Sequence, residues 1–373
     1  MSLIYLVAGE ASGDILGARL IAALRRARPD LTFAGVGGPR MADQGVASLF
    51  DHCELALMGL LEVLPKLRLV KRRLAETVAD IAARRPAVVV TIDSPGFGLR
   101  VLKRVAPLGI RRIQYVAPQV WAWRQGRVRK YPGLWDRLLC LLPFEPDFFA
   151  RHGLEGRFVG HPVLESGADR GDAGRFRAQH GLAGDARVVI VMPGSRPGEV
   201  RRLLAPFADA IARVPGIVPV VPVAPAVAGT VRSFAWTAPP ILVEGEQAKH
   251  DAFAAASVAL AKSGTSSLEL AVADVPHLIA YRANPVTAAL VRRVVMVKYA
   301  SLVNLLSDRE VVPELIQQDC VPERLAATLR SLLERDGIAQ RAAFAKVREA
   351  LRAPSGLPSE AAAAEVLSLL DQP

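Results

Sequence analysis

Short apolar runs that do not alternate with polar residues recur along this chain, each followed by a helical pattern. A strand with one face in water alternates apolar and polar residues, whereas a strand buried on both faces reads as an unbroken apolar run. LIYLVA at 3–8, AVVVTID at 87–93 and VVIVM at 188–192 are of the second kind. They predict a parallel sheet covered by helices on both faces. In the first half the expected strands are 3–8, 31–36, 87–93, 111–116, 136–142 and 156–160, with helices at 14–27, 62–84 and 97–105. The second half repeats the scheme, with strands near 187–192, 217–223, 240–244, 257–261 and 276–281 and helices near 198–213, 248–256, 266–273 and 285–295. After residue 320 the pattern is helical, at 322–334, 338–351 and 358–371.

The expected fold class is therefore α/β, with two facing Rossmann-like domains and a helical C-terminal tail. At 373 residues the chain is too long for one ordinary core. The expected division is 1–165, 166–335 and a tail from 336 to 373, with a linker somewhere in the Gly-, Ala- and Asp-rich stretch 161–186. The tail is expected to cover the first domain or a partner chain.

Cys53, Cys140 and Cys320 are far apart and odd in number, so no disulfide framework or zinc spacing is read from them. The N-terminal MSLIYLVAGEASGD has no basic residue ahead of its apolar run, and Glu10 interrupts it, so a signal peptide is not expected. Eighteen uncharged residues run from Val214 to Val231, but Pro215, Pro219, Pro222 and Pro225 argue against a spanning helix. A soluble cytoplasmic protein is the expectation. The net charge of +11 gathers in the first half, in KLRLVKRR at 66–73, RVLKR at 100–104 and RQGRVRK at 124–130. Such a field attracts phosphate on a nucleic acid, a membrane or a small substrate.

Open α/β sheets bind ligands beyond the carboxyl ends of their strands. Two loops of small residues stand at such ends, VAGEASGD at 7–14 and MPGSRPGE at 192–199. The second matches neither G-x-G-x-x-G nor G-x-x-x-x-G-K-[ST]. In the second loop, Gly194, Ser195 and Arg196 precede a helix start. Arg196 is either a solvated side chain or, with the helix N-terminus, the holder of a diphosphate whose charge grows as it leaves. No D-x-D pair occurs in the chain, so a metal-bridged diphosphate is not indicated and no cofactor is expected. Ser263, Gly264 and Thr265 form another small-residue turn, and Glu269 follows one helical turn on, either as a ribose ligand or as an acid favoured at a helix start. Asp93 ends a buried strand, where it is a general base or simply begins a turn. Trp121, Trp123 and Arg124 set aromatic groups beside the basic cluster, His161 falls at the domain junction, and the apolar stretch 54–73 reads as a buried helix or as a segment that meets lipid.

These motifs resemble, in order, those of the lipid-A-disaccharide synthase family: VAGEASGDILGARL, GVGGPRM, MGLLEVLPKL, YVAPQVWAWRQGR, LLPFE, FVGHPV, MPGSRPGEV, SGTSSLE and NLLSDREVVPELIQ. The resemblance implies a two-domain glycosyltransferase-B fold and an inverting, metal-free reaction. That reaction joins UDP-2,3-diacylglucosamine to 2,3-diacylglucosamine 1-phosphate (lipid X), giving the β-1,6-linked lipid A disaccharide 1-phosphate and UDP. By resemblance Asp93 is the base for the acceptor 6-hydroxyl, Arg196 the diphosphate arginine, Glu269 the ribose ligand and Asn304 a residue of the UDP site. Glu10, Ser12 and Asp14 line the first loop facing the acceptor cleft, together with Trp123, Arg124 and His161. Leu57, Met58, Leu60, Leu61 and Leu64 meet acyl chains or membrane. A homodimer exchanging C-terminal segments and peripheral attachment to the inner face of the inner membrane are further implications.

The sequence departs from the family's pattern after Asp93, where Pro95-Gly96-Phe97-Gly98 replaces a stretch that usually carries an acid and an amide, and at Val303, where proline is usual. A UDP-sugar 2-epimerase on the same architecture is the competing enzyme, but it has no need of the apolar 54–70 segment or of Trp121-Ala122-Trp123-Arg124. A basic nucleic-acid binder leaves both glycine loops and Asp93 without a role, so no nucleic-acid partner is expected.

Overall fold

A computed structural model describes residues 2–55, 60–123, 125–284 and 296–372, with the helical backbone alone at 60–67. The expected helix near 285–295 lies outside the described residues. Two compact units emerge, one of Met1–Pro162 with Leu351–Pro373, the other of Val163–Ala350.

In the first unit the strands are β1 (Leu3–Ala8), β2 (Thr32–Val36), β3 (Val88–Ile92), β4 (Arg111–Tyr115), β5 (Arg137–Cys140) and β6 (Gly156–Phe158). They form a parallel sheet in the order β2-β1-β3-β4-β5-β6. The unbroken apolar runs have the burial they predicted: all five residues of β3 are buried, as are Ile4 through Ala8 of β1. Helix Ala11–Ala27 lays Leu16, Leu20, Ile21 and Leu24 on the sheet and ends in Arg25 and Arg26, which suit the negative end of its dipole.

The second unit contains β7 (Arg187–Met192), β8 (Ile217–Pro222), β9 (Ile241–Val243), β10 (Ala256–Lys262), β11 (His277–Tyr281) and β12 (Glu314–Ile316), ordered β12-β11-β10-β7-β8-β9 and again parallel. The proline-rich stretch after Val214 supplies β8 and a short 3-10 turn at Pro225–Val227. Among the described residues no helix is long and apolar enough to cross a membrane.

The helical end of the chain divides between the units. Helix Ile338–Ala350 packs in the second, where Phe344 stacks on His277. Helix Pro358–Leu370 returns to the first and packs on helix Ala11–Ala27, its Ala362, Val366 and Leu369 joining the core. Small alanines let the two helices approach closely, while burial of Val366 and Leu369 contributes about 1.5–3 kcal/mol each.

Each sheet has a point where the strand order reverses. Connections run outward to opposite sides from β1 and β3 in the first unit, and from β7 and β10 in the second. In α/β sheets the crevice beyond such a pair of strand ends is where ligands sit.

Candidate active site

The reversal point of the first unit brings two expected residues together. Ala8 pairs with Ile92, so the loops after β1 and β3 leave the sheet at the same level. Gly9 lets them touch, since a Cβ there would stand 2.9 Å from Ser94 Oγ. Across this contact Ser12 Oγ donates a hydrogen bond of 2.9 Å to Asp93 Oδ2. Asp93 and Ser94 both take left-handed backbone, with φ of 53° and 42°. For non-glycine residues this costs on the order of 1–3 kcal/mol each and persists only where the surroundings impose it. Here they do: the Asp93 amide donates to Tyr115 O, and buried Gln114 donates through Nε2 to Asp93 O. The bend turns the half-buried carboxylate out of the sheet at the head of helix Pro95–Val105.

The other residues of the first loop differ in placement. Glu10 is the N-cap of helix Ala11–Ala27. Asp14 is 3% exposed and accepts from the amides of Gly38, Arg40 and Met41, fixing the start of helix Pro39–Asp43. Its acceptor capacity is thereby directed inward, to the shape of the loop.

The aromatic segment splits. Trp121 is buried and donates through Nε1 to Glu145 Oε1 at 2.9 Å, while Trp123 is 41% exposed beneath the Arg127 guanidinium. Arg124 lies outside the described residues, as do Leu57 and Met58; Leu60, Leu61 and Leu64 belong to helix Leu60–Arg84, of whose first residues the backbone alone is described. Glu145 is a residue that sequence reasoning missed. Its other oxygen accepts from the amides of Leu141 and Leu142, and burial, against these three donors, pushes its carboxyl up to about 7. His161 is buried, its amide donating to Leu351 O, and burial lowers its imidazole to about 4, so it is neutral at pH 7.

In the second unit Met192 pairs with Ala261, setting the loops after β7 and β10 side by side. Helix Pro197–Ala212 opens with Arg196 as N-cap, its side chain half exposed and its Nη1 3.5 Å from Glu199 Oε1. Gly194 and Ser195 precede it, while Ser263, Gly264 and Thr265 follow β10 and start helix Thr265–Val272. Ser263 Oγ donates to Ala300 O. Lys262, at the very end of β10, reaches Glu199 Oε1 at 3.1 Å; its signal was a lysine closing the apolar run 258–261.

Glu269 lies one turn into its helix, 2.6 Å from Lys249 Nζ. Burial alone raises such a carboxyl, but His250 and Lys249 outweigh it and hold Glu269 below the usual range. Two clusters of ligating atoms occur among the described residues, Glu246–His250–Glu269 and Asp51–His52–Cys53. In the first the Lys249 ammonium already contacts both carboxylates. In the second the Cys53 thiol is pushed up, chiefly by burial, and so favours its protonated, poorly ligating form.

Asn304 is fully buried with all of its amide engaged. Nδ2 donates to Val312 O and Glu314 Oε1, and Oδ1 accepts from the amides of Val311 and Val312, each at 2.7–2.8 Å. An asparagine has two donors and two acceptor positions, so a direct bond to a ligand requires breaking one of these.

Comparison with known proteins bears on the whole chain. The profile of the LpxB family, described as lipid-A-disaccharide synthetase, matches residues 4–366. A lipid-A-disaccharide synthase of Gluconobacter oxydans (strain 621H) is 55% identical, covering 99% of this chain and 91% of its own length. That of Granulibacter bethesdensis is 53% identical with 99% of each covered, and that of Pseudomonas aeruginosa (strain UCBPP-PA14) 42% identical, covering 99% of this chain and 98% of its own. Among solved structures, a UDP-GlcNAc 2-epimerase from Neisseria meningitidis bound to UDP-GlcNAc superposes with TM-score 0.65 at 12% identity, all of both chains being covered. Spinosyn rhamnosyltransferase SpnG complexed with thymidine diphosphate gives 0.63 at 14%, over 99% of this chain and 100% of its own. At such identities the likeness is one of fold, that of the glycosyltransferase-B enzymes and their epimerase relatives.

Proposed function

The chain belongs to the lipid-A-disaccharide synthase family and is a hexosyltransferase, and from that premise we propose its reaction and the residues that carry it. The donor is UDP-2,3-diacylglucosamine and the acceptor 2,3-diacylglucosamine 1-phosphate. The acceptor 6-hydroxyl oxygen attacks C1 of the donor sugar and the bond from C1 to the diphosphate oxygen breaks. The electron pair leaves on UDP, the hydroxyl proton passes to Asp93, and the anomeric centre inverts to give the β-1,6 disaccharide 1-phosphate.

One observation supports this most directly: Asp93 is turned out of the sheet by an unfavourable backbone conformation and hydrogen-bonded by Ser12. A general base needs its carboxylate presented and oriented, and Ser12 leaves Oδ1 for the acceptor proton. Donor handling falls to the second unit, where Gly194, Ser195 and Arg196 at a helix N-terminus suit a diphosphate, and Ser263, Gly264 and Thr265 flank it. Glu269, ionised and oriented by Lys249, is the ribose ligand. Asn304 shapes the adjoining wall, and Asp14 and Glu10 shape the acceptor loop.

Exposed Ile15, Leu49 and Trp123 on the first unit, with the apolar stretch 54–70 and the basic clusters around it, support peripheral contact with the inner face of the inner membrane. The packing of helix Pro358–Leu370 on the first unit supplies a surface that two chains would share by exchanging C-terminal segments. The epimerase reading has only the fold in its favour.

The test is UDP release from UDP-2,3-diacylglucosamine with and without lipid X, in detergent and without added metal. Acceptor-dependent release with a disaccharide product is expected. UDP release that ignores the acceptor, or a 2-epimerised sugar nucleotide, would overturn the proposal.

A further inference from the structure

The loops at the second unit's reversal point hold more charge than the sequence reading assigned them. Arg196 from the loop after β7 and Lys262 from the end of β10 converge on the same oxygen, Glu199 Oε1, at 3.5 and 3.1 Å. Glu199 is only 11% exposed at its side chain and Lys262 19%, so the pair is largely withdrawn from water. The two glycines make room for it. A Cβ on Gly194 would lie 2.8 Å from Glu199 Oε2, and one on Gly264 3.1 Å from Lys262 Nζ. Both glycines also have left-handed φ, 122° and 154°. The small residues of these loops thus accommodate a carboxylate and an ammonium, in addition to any ligand.

Two cations meet one carboxylate here, and the N-terminus of helix Pro197–Ala212 adds roughly half a positive charge. The site as a whole therefore keeps an excess of positive charge. A glutamate oxygen held where a loop arginine and a strand-end lysine converge marks a point complementary to an oxyanion. We propose that Lys262 is a second diphosphate ligand beside Arg196, and that Glu199 is a positioning residue holding the ammonium at the loop surface. This rests on the diphosphate reading of the Arg196 loop and assigns to it a residue outside that loop. As the bond from C1 to the diphosphate oxygen breaks, Lys262 stays protonated and meets the growing charge by a charge-assisted hydrogen bond, with no proton transferred.

The experiment compares the wild-type chain with Lys262→Met, Lys262→Arg and the double variant Lys262→Met/Glu199→Gln. Affinities for uridine, UMP and UDP are measured by calorimetry, with melting temperature and steady-state kinetics alongside. Lys262→Met should bind UDP roughly tenfold to hundredfold more weakly, leave uridine affinity unchanged and lower kcat. Lys262→Arg should recover most of the UDP affinity. The double variant separates ligand from ion-pair partner, because it removes the unpaired carboxylate as well. If Lys262 only neutralises Glu199, the double variant regains both melting temperature and UDP affinity, which overturns the proposal; continued weak UDP binding at restored stability supports it. Wild-type protein that binds UDP no better than uridine would overturn the underlying diphosphate reading itself. A wild-type preference for UDP that survives in Lys262→Met would overturn the lysine's role alone.

Discussion

Ser12 Oγ stands 2.9 Å from Asp93 Oδ2, joining the first turn of helix Ala11–Ala27 to the bend after β3. The two residues are far apart in sequence and meet because β1 and β3 are neighbours at the point where the strand order reverses. Asparagine is the informative replacement for Asp93, because it tolerates the left-handed backbone better than alanine does and can still pair with Ser12. Asp93→Asn should lower kcat by about 10²–10⁴-fold with UDP affinity unchanged. Ser12→Ala should lower kcat by about tenfold at unchanged KM for the donor, since it loosens the base without touching the nucleotide. Steady-state kinetics with calorimetric UDP binding check both; normal turnover in Asp93→Asn removes Asp93 as the base.

Arg196 differs in where its effect should fall. Its guanidinium is half exposed, and its ion-pair partner Glu199 keeps Lys262 when the arginine is removed, so no buried group is left stranded. Arg196→Ala should keep its melting temperature within about a degree or two, as surface changes of a few tenths of a kcal/mol do. UDP should bind about tenfold more weakly and kcat should fall. Thermal denaturation and UDP titration on the same preparation separate the two effects, and unchanged UDP affinity discards the diphosphate role.

For Asn304 the expectation is reversed. Asn304→Ala strips partners from the part-buried Val311 amide and from the buried Val312 O and Val312 amide, and a buried group left unpaired costs about 1–3 kcal/mol. A loss of several kcal/mol in urea unfolding is expected, with any change in UDP affinity following from the disturbed loop. A variant of normal stability that has lost UDP binding would instead make Asn304 a direct ligand.

Most of the fold could be read from periodicity because buried parallel strands are dense in valine and isoleucine, and eleven strands lie where the apolar runs put them. β12 escaped because it has three residues, two of them half-buried, behind Pro313 at a sheet edge. Around the candidate site, what was legible is position at a strand end, as for Asp93 beyond β3 and Arg196 in the loop after β7. What was illegible is pairing across the fold. Nothing near Lys262 or Lys249 in sequence announces Glu199 or Glu269 as partner, nor could a motif show that Asp14 and Asn304 turn inward to backbone amides.

Glu145 ties the aromatic segment to solution pH. It accepts from Trp121 Nε1 and from two backbone amides, yet burial dominates and raises its carboxyl to about 7. An acid whose pKa is higher folded than unfolded binds its proton more tightly in the native state. Its contribution to stability is therefore fully present below the unfolded value of 4.5 and is lost as pH rises through about 7. The size is on the order of 3 kcal/mol, from about 1.4 kcal/mol per pKa unit. Urea unfolding followed by tryptophan fluorescence at pH 5, 6, 7 and 8 should show this decline in the wild type and not in Glu145→Gln. The glutamine variant keeps an acceptor for Trp121 but turns an amide toward the N–H groups of Leu141 and Leu142, so it should be less stable at every pH while lacking the slope. Equal slopes in the two proteins would assign the decline to other groups and leave Glu145 ionised throughout.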